Sequence, residues 1–228
     1  MPTVTAQSII DRAQVLLQDT VKVRWPDAEL LTWLNEGQQA IVVLKPTAYV
    51  RSVAVQLVAG TKQSLPADGI QLIDIVRNMG TDGLTPGRAV RIVTREVMDA
   101  QTPSWHVSPV SHIVKHYMYS ALDPNTFYVY PRQPASGFGY VEMAYGARPP
   151  AVAAVGNTIS VDDIYQTALL DYVLYRAYSK DTEFADSGRA GVRQQAFVSA
   201  IVGKAQAEAG VSPNNTAPAN PNSAPGAA

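Results

Sequence analysis

The sequence predicts an α+β fold: a helical bundle built from both ends of the chain, carrying a strand-rich antiparallel β insertion and followed by a flexible C-terminal tail. Three observations carry this prediction. Apolar residues recur at helical spacing before Pro46 and again after Ser160, they alternate with period two in between, and an uncharged Pro/Asn/Ala run closes the chain. The chain has 228 residues, 46% of them hydrophobic, which is enough for a sizeable core. It has no cysteine, so that core must hold without disulfides.

From Thr5 to Gln18, residues Ala6, Ile9, Ala13, Leu16 and Leu17 mark one face of a helix that Thr3 or Thr5 can cap. A second helix starts at Arg24-Trp25-Pro26-Asp27-Ala28-Glu29, where proline suits the first turn and two carboxylates oppose the positive end of the helix dipole. Its apolar stripe is Leu30, Leu34, Ile41 and Leu44, Gly37 marks a close approach, and Pro46 stops it. Two antiparallel helices are expected from the short link between them.

Alternation at Val53, Val55 and Leu57 then signals a strand. Further strands are expected over 70–79, 89–94, 111–120, 126–130 and 140–145, separated by turn signals such as Ala59-Gly60-Thr61, Thr81-Asp82-Gly83 and Asp123-Pro124-Asn125. Pairing should be mostly antiparallel, because a crossover helix fits nowhere except between Glu96 and Val110, where Pro103 and Pro109 argue against a long one. Ser160-Val161-Asp162-Asp163 signals another helix, with Ser160 as its cap and Ile164, Tyr165, Ala168, Leu169, Tyr172, Val173 and Arg176 along one side. A last helix is expected between about Thr182 and Ala207, with Ala190, Phe197, Ala200, Ile201 and Lys204 on one face.

The chain thus divides into an N-terminal helical pair (1–49), a β-rich insertion (50–150), a C-terminal helical pair packing against the first (151–210) and a flexible tail (211–228). The tail's composition offers too little apolar area to offset the entropy of ordering it.

The same residues narrow the chemistry. With 18 basic and 19 acidic residues the net charge is −1, which argues against a protein whose main task is gripping phosphates. Apolar runs such as Ala151–Val155 fall far short of the ~20 residues of a membrane-spanning helix, so no membrane partner is expected, and no leader peptide is evident at the start. The histidines are His106, His112 and His116; the last two, if on one strand, lie about 13 Å apart, too far to share a metal. Asp162, Asp163, Asp171, Asp181, Glu183 and Asp186 read as helix-end and turn residues rather than an acid/base pair. Phosphate loops, nucleophile turns and His-Glu-x-x-His pairs are missing, so neither an enzyme nor a cofactor is expected. Eleven tyrosines stand out, with Tyr117, Tyr119, Tyr128, Tyr130, Tyr140 and Tyr145 on expected strands. They can pack the β core and subunit interfaces or stack bases, and the balanced charge favours packing.

The segment from Arg24-Trp25-Pro26-Asp27 through Trp33-Leu34-Asn35-Glu36-Gly37 to Ile41 resembles the head-to-tail connector or adaptor proteins of tailed bacteriophages, of the podovirus portal-adaptor type. So do Arg77-Asn78-Met79-Gly80, Arg95-Glu96-Val97-Met98-Asp99, Pro103-Ser104-Trp105-His106, Phe127-Tyr128-Val129-Tyr130-Pro131 and the run from Tyr172 to Asp181, in that order. The resemblance implies a structural virion protein, made in the host cytoplasm, that sits in the neck between capsid and tail. It implies a ring of roughly twelve copies bound to the portal protein and to the tail tube or nozzle, with DNA passing through the lumen without sequence-specific binding. The helical part would engage the portal and the β domain the tail. The residues to test as interface are Arg24, Trp25, Trp33, Arg77, Tyr128, Tyr130, Arg132 and Arg176. Trp25 and Trp33 can anchor the second helix within the bundle or against a neighbour, and Arg77, Arg132, Arg148 and Arg176 can pair within or between subunits. Two other classes remain: a receptor- or carbohydrate-binding β module of a tail, and an enzyme of unrecognised type.

Overall fold

The computed structural model describes residues 2–180 and 185–211. The described residues form five α-helices and seven strands, and the buried hydrophobic ones among them fall into a helical cluster and two clusters around the strands.

Helix α1 spans Ala6–Leu16, and Thr5 caps it by accepting from the Ser8 amide. Two of its first amides, Ala6 and Gln7, donate to the carbonyls of Asn157 and Val155, so a distant loop completes the cap. Helix α2 spans Asp27–Leu44, with Pro26 at the N-cap and Asp27 and Glu29 in the first turn. The link between them is organised by Asp19, whose carboxylate accepts the amides of Val23, Arg24 and Trp25. Helices α4 (Gln166–Ser179) and α5 (Ser187–Val211) complete the helical cluster. Ile9, Leu30, Leu34, Leu169, Val173 and Ile201 are buried together there. Gly37 is the expected close approach: a Cβ at this position would lie 3.0 Å from the ring of Tyr172 on α4.

Two details differ from expectation. Ser160 is not the cap of α4. A 3-10 turn over Asp163–Tyr165 precedes the helix and Asp162 caps it, while the Ser160 amide is bound by Gln38 on α2. The last helix begins at Ser187, where Asp186 accepts the Arg189 amide; part of its expected start, with Asp181 and Glu183, lies outside the described residues, as does almost all of the expected tail.

The strands form two sheets. The first has the order β1 (Val50–Gln56), β7 (Tyr140–Ala147), β3 (Gly69–Asn78), all antiparallel. The second has the order β2 (Gly60–Ser64), β6 (Thr126–Gln133), β5 (His116–Tyr119), β4 (Arg91–Ile92). Alternation places Phe127 and Val129 of β6 opposite Val141, Met143 and Tyr145 of β7 in a shared core between the sheets. The other face of β6 carries Tyr128 and Tyr130, and α3 (Arg95–Gln101) with a 3-10 turn at Trp105–Val107 covers part of it through Met98 and Trp105.

Strand β2 was hidden in the sequence behind an apparent turn. Its inward residues, Thr61 and Gln63, are buried but polar, and Gln63 substitutes hydrogen bonds to the Val58 amide and carbonyl for apolar packing. Two expected strands are shorter than predicted. The segment over 89–94 forms a strand only at Arg91–Ile92, with Ala89 in an isolated bridge to Arg77 and Thr94 capping α3, and the segment over 111–120 forms a strand only from His116, with His112 left in a loop. Strands β4 and β5 run parallel, joined through α3, whose C-cap Thr102 stands just before Pro103.

Candidate interaction surfaces

Each of the expected interface residues lies among the described residues. Trp25 and Trp33 pack within the helical core, 2% and 7% exposed, with ring centroids 6.0 Å apart. The Lys180 ammonium lies 4.9 Å from the Trp25 ring and is held by Glu29 at 2.8 Å. Both tryptophans are therefore anchors of α2 inside the chain. Arg24 is half-buried, and its amide donates to Asp19. Burial pushes the Asp19 carboxyl up, but three amide hydrogen bonds and the Arg24 charge outweigh it and hold it below the ordinary range.

The arginines have intrachain partners as well. Arg77 pairs with Glu142 across β3 and β7 at 2.6 Å, Arg176 meets Glu36 at 3.3 Å, and Arg132 donates to the Ser108 carbonyl at 2.7 Å. Arg148 is exposed beside an open cleft it shares with Arg51, Asp68 and Tyr49.

Tyr128 and Tyr130 belong to an aromatic cluster on the second sheet. The Trp105 ring stacks on His106 at 3.6 Å, meets Tyr128 edge-on at 5.8 Å and donates its Nε1–H to Asp99 at 2.8 Å. Arg95 sits over Tyr128, and a cleft of about 230 Å³ opens between Arg95, Met118, Tyr119 and Tyr128. Farther along the same face His116 stacks on Tyr130, its Nδ1 buried without a partner. Burial lowers the basicity of His116, and the charges of Arg88, Arg91 and Lys115 lower it further.

The helical end offers a different surface. Leu16 and Val192, 47% and 67% exposed, line an open cleft of about 560 Å³ with Tyr178, Arg189 and Arg193. Val15, Val21 and Val23 are also exposed in the same part of the chain.

Among the described residues, the carboxylates weighed for acid/base work are bound to structural partners. Asp163 accepts the amides of Thr3 and Val4, Asp162 caps a helical turn, and Asp171 holds Arg193 at 2.7 Å. Among the described residues no group of three or more histidines and carboxylates converges to hold a metal ion. The sequence reading missed Arg88, Arg91 and Lys115, which are separated along the chain and become neighbours only through the strand register.

A family model described as SU10 adaptor protein matches residues 4–221, spanning the helices at both ends and all seven strands. No relative is found among curated proteins.

Proposed function

The chain belongs to the SU10 adaptor protein family, a phage adaptor family, and from this premise we propose that it is a head-to-tail adaptor whose copies form a ring between portal and tail around the DNA channel. The observation that supports this reading is the family match across both the helical and β-rich parts. As a phage adaptor it is a structural component of the virion. The neck is its proposed position there.

The helical end, with exposed Leu16 and Val192 flanked by Tyr178, Arg189 and Arg193, has the apolar centre and basic rim of an interface and is the proposed contact for the portal or a neighbouring copy. The β-rich part, with its aromatic face, is the proposed contact for the tail. A closed ring requires two unlike surfaces on each copy, one at each side.

Purified chain mixed with its cognate portal protein and measured by native mass spectrometry tests the reading. A complex carrying roughly twelve copies of the chain per portal ring is expected. Failure to associate overturns it. The cleft beside Tyr119 and Tyr128 is the observation that favours a carbohydrate-binding module instead, and glycan binding without portal binding would establish that alternative.

A further inference from the structure

Asn78 at the end of β3 is buried, and its side chain joins two separate segments. Its Nδ2 donates to the carbonyls of Arg88 and Val114, both at 2.8 Å, while its Oδ1 accepts the Val114 amide at 2.7 Å. The Gly87 amide donates to the Asn78 carbonyl, and the Asn78 amide to Arg88. This fixes Arg88 beside Lys115. Three residues on from Arg88, the parallel pairing of β4 with β5 puts Arg91 opposite His116.

Three cations therefore converge at one edge of the second sheet, around His116 and Tyr130. All three are exposed, and none makes an ion pair among the described residues. The carboxylates on the nearby strands are engaged elsewhere: Asp74 accepts from the Tyr117 hydroxyl at 2.9 Å and Glu142 holds Arg77. The fold thus spends a buried asparagine on bringing like charges together without a counter-ion. Such an arrangement carries self-repulsion, which an anionic ligand would relieve.

We infer that Arg88, Arg91 and Lys115, beside the stacked His116 and Tyr130 rings, form an edge that binds the phosphate backbone of a nucleic acid. Long, exposed cations that are unlocked by neighbours suit a ligand with repeating, evenly spaced charge better than a single carboxylate, and the two rings supply a face on which a base can lie. A net charge of −1 is compatible with this, because the local field and not the total sets where a polyanion rests. The inference does not depend on ring formation or on the portal.

The test is fluorescence anisotropy of the full chain with a short labelled DNA duplex, and separately with a single strand. Three phosphate contacts predict a log–log salt slope of about −2.7, so affinity for the duplex falls about 40-fold between about 50 and 200 mM salt. The combined variant Arg88→Ala/Arg91→Ala/Lys115→Ala should lose at least about tenfold in affinity and flatten that slope. A control with the same change in charge, Arg12→Ala/Lys62→Ala/Arg148→Ala, should bind like the parent. Thermal melting followed by circular dichroism checks that the variants are folded, and the three single variants, each losing part of the slope, give the same answer if the combined one is not. Binding of either DNA form that follows this pattern supports the site. Absence of DNA binding by the parent, or an equal loss in the control, overturns it. So does tighter binding of poly-glutamate than of DNA, which would identify an acidic protein surface as the partner.

Discussion

The amide of Ser160 donates to Oε1 of Gln38 at 2.6 Å, and the Val161 amide shares the same oxygen at 3.3 Å, so one buried side chain on α2 holds the chain where it returns from the β-rich part. Asn35, one turn earlier, does the same for Val152, accepting its amide at 2.8 Å and donating to its carbonyl at 3.1 Å. The return segment is irregular. Without these side chains its buried backbone groups would have no ladder to join.

Gln38→Leu should therefore destabilise the chain by about 1–3 kcal/mol, because two amides lose their acceptor inside the fold. Gln38→Glu, which keeps an acceptor oxygen, should cost less than Gln38→Leu at about pH 4, where its buried carboxyl is protonated and can still donate to Asn35. Urea unfolding midpoints for the three proteins decide it; equal losses for both variants would show that packing volume, not the acceptor, matters at this position.

Two glycines on helices should respond with opposite sign. At Gly37 an added Cβ meets Tyr172 and Leu169 at 3.0–3.2 Å, so Gly37→Ala forces α2 and α4 apart and should destabilise despite a gain in helix propensity of up to about 1 kcal/mol. At Gly203 on α5 a Cβ meets nothing within 4 Å. Gly203→Ala should stabilise by about 0.5–1 kcal/mol, which the same unfolding assay reads.

The ion pair of Asp171 and Arg193 joins α4 to α5. Asp171 is buried at 12% side-chain exposure while Arg193 is 39% exposed, so the two ends are not equivalent. Arg193→Ala leaves a buried carboxylate and should cost about 1–2 kcal/mol after allowance for solvent screening at the arginine. Asp171→Asn/Arg193→Ala together should recover part of that loss. A double-mutant cycle by thermal unfolding measures it, and simple additivity would mean the pair contributes nothing.

How far the sequence could be read depended on which interactions specify each element. Amphipathic spacing located α1, α2 and α4 because their burial is one-sided, and Gly37 was legible because a glycine on an apolar stripe has few other uses. Strand β2 was not legible, since its inward Thr61 and Gln63 are polar and their partners are known only once the corner at Val58 is seen. The cap of α4 was misread for a related reason: Ser160 has the right chemistry, but Gln38, 122 residues away, claims its amide. The basic edge was beyond reach altogether, because Arg88 and Lys115 meet through Asn78, and no local pattern encodes that junction.

Acid should weaken the link between α1 and α2. Amide hydrogen bonds hold the Asp19 carboxyl below its ordinary value against the opposing effect of burial. A depressed folded-state value means the unfolded chain takes up protons first, so Asp19 contributes stability that is complete above the unfolded pKa of about 3.9 and is lost as pH falls through the lower folded value. Asp19→Asn retains one acceptor oxygen but not the charge. It should be clearly less stable than the parent at pH 6, and the difference should shrink as pH falls below about 4, because the parent then loses the same charge. Urea midpoints measured from pH 6 to pH 2.5 test this; a difference that stays constant across the range would mean that the Asp19 charge adds nothing to the three amide bonds.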